Sequence, residues 1–497
     1  MAGEGPKLAR ELNIWEAIGI SVALMAPSMA ANINPQGMVG VVGRAIPLTF
    51  ALATVGVLLV AYTFVRLTQR FNHSGSVYGF VGATLGPRAG VVAGWGLLGT
   101  YTFYGVVTAT ASSRFVLAFL DGTGLWKNPP DTLVLVLVPL IVLGVFWLTI
   151  SPIRLGTRFL LIVEGATVAL ILLVALVVLG KLAGGNGPSG QGLTFSPFTL
   201  SSGTGASAIF LGIVFGFLSF AGFEAAATLG EETKHPRRDI PRAILGTAIF
   251  GGVYFVFVTW VEVMGFGTDE KGLEAFGKSG SLFGDLGSQF VGEWLGDLIT
   301  LGAAVSAFGC ALACSVGASR LLYALARDGI APRALATVSP TKRTPVVSAV
   351  AVAVAVVVLE FALWAVYVPT VAADSEDFVP ASLSVFFASG VIGTLILLVA
   401  YVLATVGVTR LLFFSGTKQV AAWEVAIPVL ALALLVYTLY KNVIPFPTGK
   451  GAVPPILAVV WLLIGVAYVF LAQGAARRAG EKLTADEGLA AQTKEPV

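Results

Sequence analysis

The stretch Ser219-Phe220-Ala221-Gly222-Phe223-Glu224 sets a glycine and a carboxylate inside a run of otherwise apolar residues. An ionised acid at the centre of a hydrocarbon layer costs about 2.5 to 3.5 kcal/mol, so a carboxylate placed there faces protein or water rather than lipid. Glu224 is therefore a candidate site residue, provided that the run around it crosses a membrane.

Composition says that it does. The chain has 497 residues, 56% hydrophobic and 11% charged, with a mean hydropathy of +0.89, where soluble domains carry about 25% charge. Working outward from Glu224 for apolar runs of about 20 residues, twelve spans emerge: 14–39, 45–66, 89–118, 132–150, 157–180, 206–230, 241–266, 296–320, 345–368, 381–406, 424–441 and 453–473. The expected fold is an all-α polytopic membrane protein of about 12 transmembrane helices.

Basic residues orient it. Most Lys and Arg fall in the tails and the even-numbered loops, whereas the other side holds Arg44, Lys127, Lys181, Lys271, Lys278, Lys441 and Lys450, with Arg114 near the end of span 3. The positive-inside rule then puts both termini in the cytoplasm. Acidic residues on the far side, Asp269, Glu270, Glu274, Asp285 and the 374–377 run, agree. The net charge of +3 sums two faces that never meet and implies no nucleic-acid partner.

Lys7, Arg10, the apolar stretch Ile18 to Ala26 and Ser28-Met29-Ala30 together look like a cleavable signal. Glu16 at the start of the apolar run argues for an uncleaved first helix. The only cysteines, Cys310 and Cys314, share one helix face with no histidine beside them, which fits packing residues rather than a metal site.

Breaks inside the spans point to function. Pro27 interrupts span 1 after Met25-Ala26, and Asn32, Asn34 and Pro35 follow; Gly212, Gly216 and Gly222 bracket Ser219 in span 6. Unwound backbone at membrane depth needs a protein or aqueous partner, and paired breaks in two halves mark a substrate site. The expected organisation is a cytoplasmic tail 1–13, an inverted repeat of five plus five spans over 14–180 and 206–406 with helices 1 and 6 discontinuous, an extracellular loop 181–205, two added spans over 407–473 and a cytoplasmic tail 474–497. The long loop 267–295 has the apolar residues to form short helices across the outer mouth.

With these motifs in place the chain resembles the amino acid, polyamine and organocation transporter superfamily, in particular bacterial amino acid permeases. Phe220 to Glu224 with Glu231-Glu232 and Pro236 to Ile244 is similar to that family's sixth span and following loop. Ser319 to Pro332 with Arg343-Thr344-Pro345, and Ser74 to Phe80 with Leu85-Gly86-Pro87 and Gly94-Trp95, match two further pieces. The resemblance implies an ion-driven or exchanging carrier with a substrate site at the two breaks. Family members commonly carry Gly, Ser or Thr, Gly at the first break, whose amides hold a substrate carboxylate. This chain has Met25-Ala26-Pro27-Ser28, where proline removes one donor and leaves the carboxylate contact open. Several proton-coupled relatives carry a lysine in span 5, and the aligned position is Thr167, with Glu164 one turn earlier.

An amino acid in such a site needs donors for its carboxylate, acceptors for its ammonium and a pocket for its side chain; half-helix ends supply the first two. The candidate substrate-binding residues are Met25, Ala26, Pro27, Ser28, Phe217, Ser219, Phe220 and Ala221, with Tyr101 and Tyr104 as lining hydroxyls and Phe220 and Phe223 as lids. Glu224 and Glu164 are candidates for carrying a proton or coupling the gates, and Glu262 and Glu360 fall in the outer halves of their spans. A sodium ion held by Ser315 or Ser319 is the lesser alternative to a proton. Arg237, Arg238, Arg320 and Arg327, paired with Glu231, Glu232, Asp239 or Asp328, are candidates for an inner gate.

Catalysis fits poorly: His73 and His235 are the only histidines, no nucleophile, base and orienter come together, and no phosphate-binding glycine loop is present. The resulting expectation is a multi-pass inner-membrane protein without cofactor, importing an amino acid, a neutral one by preference, with protons. A polyamine or amine transporter and an exchanger are alternatives, and a non-transporting nutrient receptor or a channel is the other class. Sequence leaves oligomeric state open.

Overall fold

The computed structural model describes residues 13–71, 76–151, 154–201, 203–229, 233–339, 344–371, 375, 378–414 and 420–471. The two tails apart from Asn13, and the motif residues Ser74, Gly75, Glu231, Glu232 and Arg343, lie outside the described residues.

Among the described residues the regular elements are helices. Twelve stretches are long and apolar enough to cross a bilayer: Ile14–Ile33, Gln36–Arg70, Pro87–Gly122, Asp131–Thr149, Phe159–Ala183, Ser207–Leu229, Pro236–Phe266, Glu293–Arg327, Val346–Tyr367, Ala381–Phe413, Ala422–Val443 and Gly449–Leu471. They are spans 1 to 12. An even number of crossings brings Ile14 and Leu471 to one face, the terminal face; the opposite one is the far face. The protein is an all-α polytopic membrane protein.

Several boundaries move. Span 1 ends at Ile33 rather than 39, because the Asn34-Pro35 turn stops it, and the helix Gln36–Val42 that follows opens span 2, which starts at 36 rather than 45; spans 8 and 10 run on to Arg327 and Phe413 rather than 320 and 406. Glu16 also finds a place: Asn13 Oδ1 accepts from the Trp15 and Glu16 amides while Glu16 Oε2 accepts from Asn13 N, a reciprocal cap on the first helix.

Burial separates an inner from an outer set. Span 6 is 83% buried and spans 3 and 10 are 72% buried, against 28% for spans 4, 11 and 12. The outer spans show Leu140, Trp147, Leu430 and Leu463 to the surroundings, as lipid-facing helices do. The inner spans approach closely over small residues: a Cβ on Gly216 would fall 2.6 Å from Ala53 Cβ, locking span 6 onto span 2. Between spans 3 and 12, Trp95 and Trp461 stack at 4.9 Å and each indole N–H donates to the other's carbonyl, at 2.7 and 3.0 Å.

Spans 1 and 6 are both interrupted. The first half of span 1, Ile14–Met25, ends where Ala26 takes the left-handed conformation (φ 45°), and Pro27 opens the second half, Pro27–Ile33, at the position where its missing N–H costs nothing. In span 6 the helix Ser207–Phe220 gives way to a turn in which Gly222 has φ 102°, followed by a 3-10 turn Ala225–Leu229. A side chain at Gly222 would be strained and would also meet Leu24 at 2.6 Å, so the two breaks are packed on each other.

Candidate functional site

Where the breaks meet spans 3, 8 and 10, the packing leaves a small cavity with about 30 Å³ open to a water-sized molecule. Its walls are Leu24, Met25 and Met29 of span 1, Tyr101, Tyr104 and neighbours of span 3, Ala221, Gly222 and Glu224 of span 6, Cys310 and Cys314 of span 8, and Leu397 of span 10. Lys, Arg and His are absent from this lining. Glu224 is buried; its Oε2 makes no hydrogen bond of normal geometry, and the Tyr401 hydroxyl of span 10, likewise without one, is the donor that lies beside its carboxyl. The cavity is thus apolar and polarisable, with one carboxyl turned inward.

Met25, Tyr101, Tyr104, Ala221 and Glu224 therefore lie on the cavity as expected from sequence, while other candidates do not. Phe220 packs edge-on against Phe255 of span 7 at 5.3 Å, and Phe223 against Phe64 of span 2 and Tyr401 of span 10. The turn at Ala221-Gly222 rotates both rings away, so neither covers the cavity in this conformation. Phe217 is buried toward span 2 beside Gly56. The Ser219 hydroxyl donates to Phe215 O and accepts from Asn34 Nδ2, both at 2.8 Å. Ala26, Pro27 and Ser28 sit behind the lining, with Tyr254 OH 3.5 Å from Pro27 O.

The back of the span 1 break is closed by spans 5 and 8. Glu164 Oε1 accepts from the Ser28 amide at 2.8 Å, and Ser306 Oγ from the Met29 amide at 3.2 Å. Cys310 Sγ donates to Leu24 O at 3.0 Å. Ser315 and Ser319, the residues considered for sodium, lie further along span 8 and are engaged elsewhere: Ser315 with Thr149 Oγ1 at 3.1 Å, Ser319 with Ser315 O at 2.6 Å. The span 8 side chains bonded to span 1 at the break are Ser306 and Cys310, about 2.5 and 1.4 helical turns before Ser315.

Both faces around the cavity are fastened. On the far face, helices Glu270–Lys278 and Leu282–Phe290 of the loop between spans 7 and 8 dock on span 1: Asn32 Oδ1 accepts from Ser281 Oγ at 2.8 Å and Phe283 N at 2.9 Å. Gln36 Nε2 donates to Phe276 O and Ser279 O. In the same loop, burial pushes the Asp285 carboxyl up and the Ser279 hydroxyl, donating to it at 2.6 Å, pulls it back.

On the terminal face Asp328, buried at the end of span 8, accepts from Tyr78 OH at 3.2 Å and pairs with Arg327 at 3.2 Å. Arg238 and Arg320 are exposed, and Asp239 opens span 7. Of the expected gate pairings the described residues include Arg327 with Asp328, and the short helix Ser76–Leu85 adds Tyr78 to it. Tyr78 lay within a motif already quoted; the bond to a residue so distant in sequence left no signal.

Comparison with known proteins adds the family. A family model described as amino acid permease matches residues 12–476. The low-affinity putrescine importer PlaP of Escherichia coli is 26% identical over 364 residues, 72% of this chain and 76% of that protein. The branched-chain amino acid permease BcaP of Bacillus subtilis is 25% identical over 69% of this chain and 72% of its own length. The vacuolar cationic amino acid transporter 4 of Arabidopsis thaliana is 27% identical over 72% of this chain and 59% of its own.

Proposed function

The chain belongs to the amino acid permease family, and from that premise we propose that it imports a small solute bearing a protonated amino group on an apolar body, a neutral amino acid or a related amine, by alternating access coupled to protons. The observation that carries this reading is the buried carboxyl of Glu224 with an unpartnered oxygen in an otherwise apolar cavity at the meeting of two broken helices. An ammonium supplies the missing donors, and Leu97, Leu218 and Leu397 fit a short apolar body. The relatives' names, a putrescine importer and a branched-chain amino acid permease, fall within the same substrate range.

In this reading spans 1, 2, 6 and 7 rock against the rest. The loop clasp on Asn32 and Gln36 closes the outer side, and Tyr78 and Asp328 close the inner side. Glu224 holds the ammonium or the coupled proton, one at a time. The basic loops support a cytoplasmic position for both termini of an inner-membrane carrier.

Counterflow in proteoliposomes is the test. A carrier preloaded with unlabelled leucine or isoamylamine accelerates entry of the labelled compound. A channel gives downhill flux without such trans-stimulation, and a receptor gives binding without flux; either result would end the proposal.

A further inference from the structure

Thiolate and thioether sulfurs are soft donors that select cuprous ion over harder cations. The chain has five methionines and two cysteines, and Met25, Met29, Cys310 and Cys314 all lie on the wall of the cavity at the helix breaks. Spacing alone makes Cys310 and Cys314 a pair of packing residues on span 8; the fold brings the two thioethers of span 1 to the same wall. Both cysteines are buried and free of disulfide. Cys310 Sγ donates to Leu24 O at 3.0 Å, beside Met25, and lies within hydrogen-bond reach of the Cys314 thiol. Met29 is held against span 8 by its amide, which donates to Ser306 Oγ at 3.2 Å. The sulfurs thus come from two segments already bonded to each other.

Residues four apart on a helix hold their Cβ atoms about 5 to 6 Å apart, more than the about 3.5 to 4.5 Å of a disulfide. The two thiols therefore stay open to a bridging atom. Zinc takes three or four protein ligands, and among the described residues no group of three His, Cys, Asp or Glu could hold a metal ion. An uncompensated buried charge is strongly destabilising, and the lining has no Lys, Arg or His. A monovalent cation on a single thiolate is neutral and meets that condition. The open space of about 30 Å³ admits one water or one bare ion.

We infer that the cavity holds a site for one soft monovalent cation, Cu⁺, bound by the sulfurs of Cys310 and Cys314 and by a methionine of span 1. One cysteine releases its S–H proton to solvent as the S–Cu bond forms, and the other thiol and the thioether coordinate as neutral donors. Met25 turns its sulfur toward Gly251 of span 7 in this conformation, and three rotatable bonds allow it or Met29 to swing to the ion. The bound ion joins span 1 to span 8 and holds the break closed.

The test titrates the purified full chain with Cu⁺ under anaerobic conditions, in competition with the chromogenic chelator bicinchoninate. One ion per chain is expected, with sulfur-to-copper charge-transfer absorption in the ultraviolet and a raised unfolding midpoint. Cys310→Ser with Cys314→Ser should weaken binding at least a hundredfold, and Met25→Leu with Met29→Leu at least tenfold. No binding by the parent, or equal affinity in the double serine variant, overturns the site; equal affinity in the double leucine variant overturns the part given to span 1. Should the serine variant fail to fold, one equivalent of Ag⁺ is expected to protect both thiols of the parent from N-ethylmaleimide, read by mass, and unprotected thiols overturn the site. The same Ag⁺ is expected to stop counterflow. Binding that leaves counterflow unchanged overturns the lock, whereas a parent that binds the ion but shows no counterflow overturns the transport reading alone.

Discussion

Asn32 in the second half of span 1 accepts, through a single carboxamide oxygen, the backbone amide of Phe283 at 2.9 Å and the hydroxyl of Ser281 at 2.8 Å. Its own NH₂ donates back to Ser28 O at 2.8 Å. One buried side chain therefore ties the broken helix to the loop that covers the far face. Any motion that opens that face has to separate these groups.

Asn32→Leu keeps the volume and removes the acceptor, leaving two buried donors unpaired at a cost of about 1 to 3 kcal/mol each. The closed far face is expected to lose population. Mixed-disulfide formation between the cavity thiols and a charged methanethiosulfonate added from that side, with release of methanesulfinate, should be at least severalfold faster than in the parent. An unchanged rate would show that the loop clasp does not govern access.

Cys310 and Cys314 are the only cysteines, and both line the cavity. N-ethylmaleimide is expected to block transport, and bound substrate to slow the block. The double Ser variant should resist the reagent while still transporting. Insensitive parent protein would place the thiols off the substrate path.

On the terminal face, Asp328→Asn removes the ion pair with Arg327 and weakens the acceptor for Tyr78. Membrane insertion should stay intact while the initial uptake rate changes severalfold. Tyr78→Phe is expected to act in the same direction, more weakly, and unchanged uptake in both would end the gate assignment.

Trp461→Ala removes the ring stacked on Trp95 and its indole bond to the Trp95 carbonyl, both remote from Glu224. The loss is expected to be about 3 to 5 kcal/mol of stability, seen as a lower unfolding midpoint in detergent. Transport per folded molecule should be retained.

The fold was legible because a bilayer demands about 20 apolar residues per crossing, and Pro27 and Gly222 mark the helix breaks by backbone chemistry alone. The chemistry around the breaks was less so. Ser28 meets Glu164 across 136 positions and Asn32 meets Phe283 across 251, and such pairs follow from helix rotation and docking. Glu164 was visible as a buried acid, but its hold on an amide of span 1 was not. Phe220 and Phe223 mislead for a related reason: adjacency to the break suggests lids, yet the turn decides where the rings point.

If this cavity is the transport site, uptake depends on the carboxyl of Glu224. This dependence is tested most directly by comparing proton-gradient-driven accumulation in proteoliposomes for the parent and for Glu224→Gln, which keeps the shape and removes the titrating group. Accumulation is expected well above equilibrium in the parent and absent in Glu224→Gln, with the variant still folded. Equal accumulation by the two proteins would contradict it.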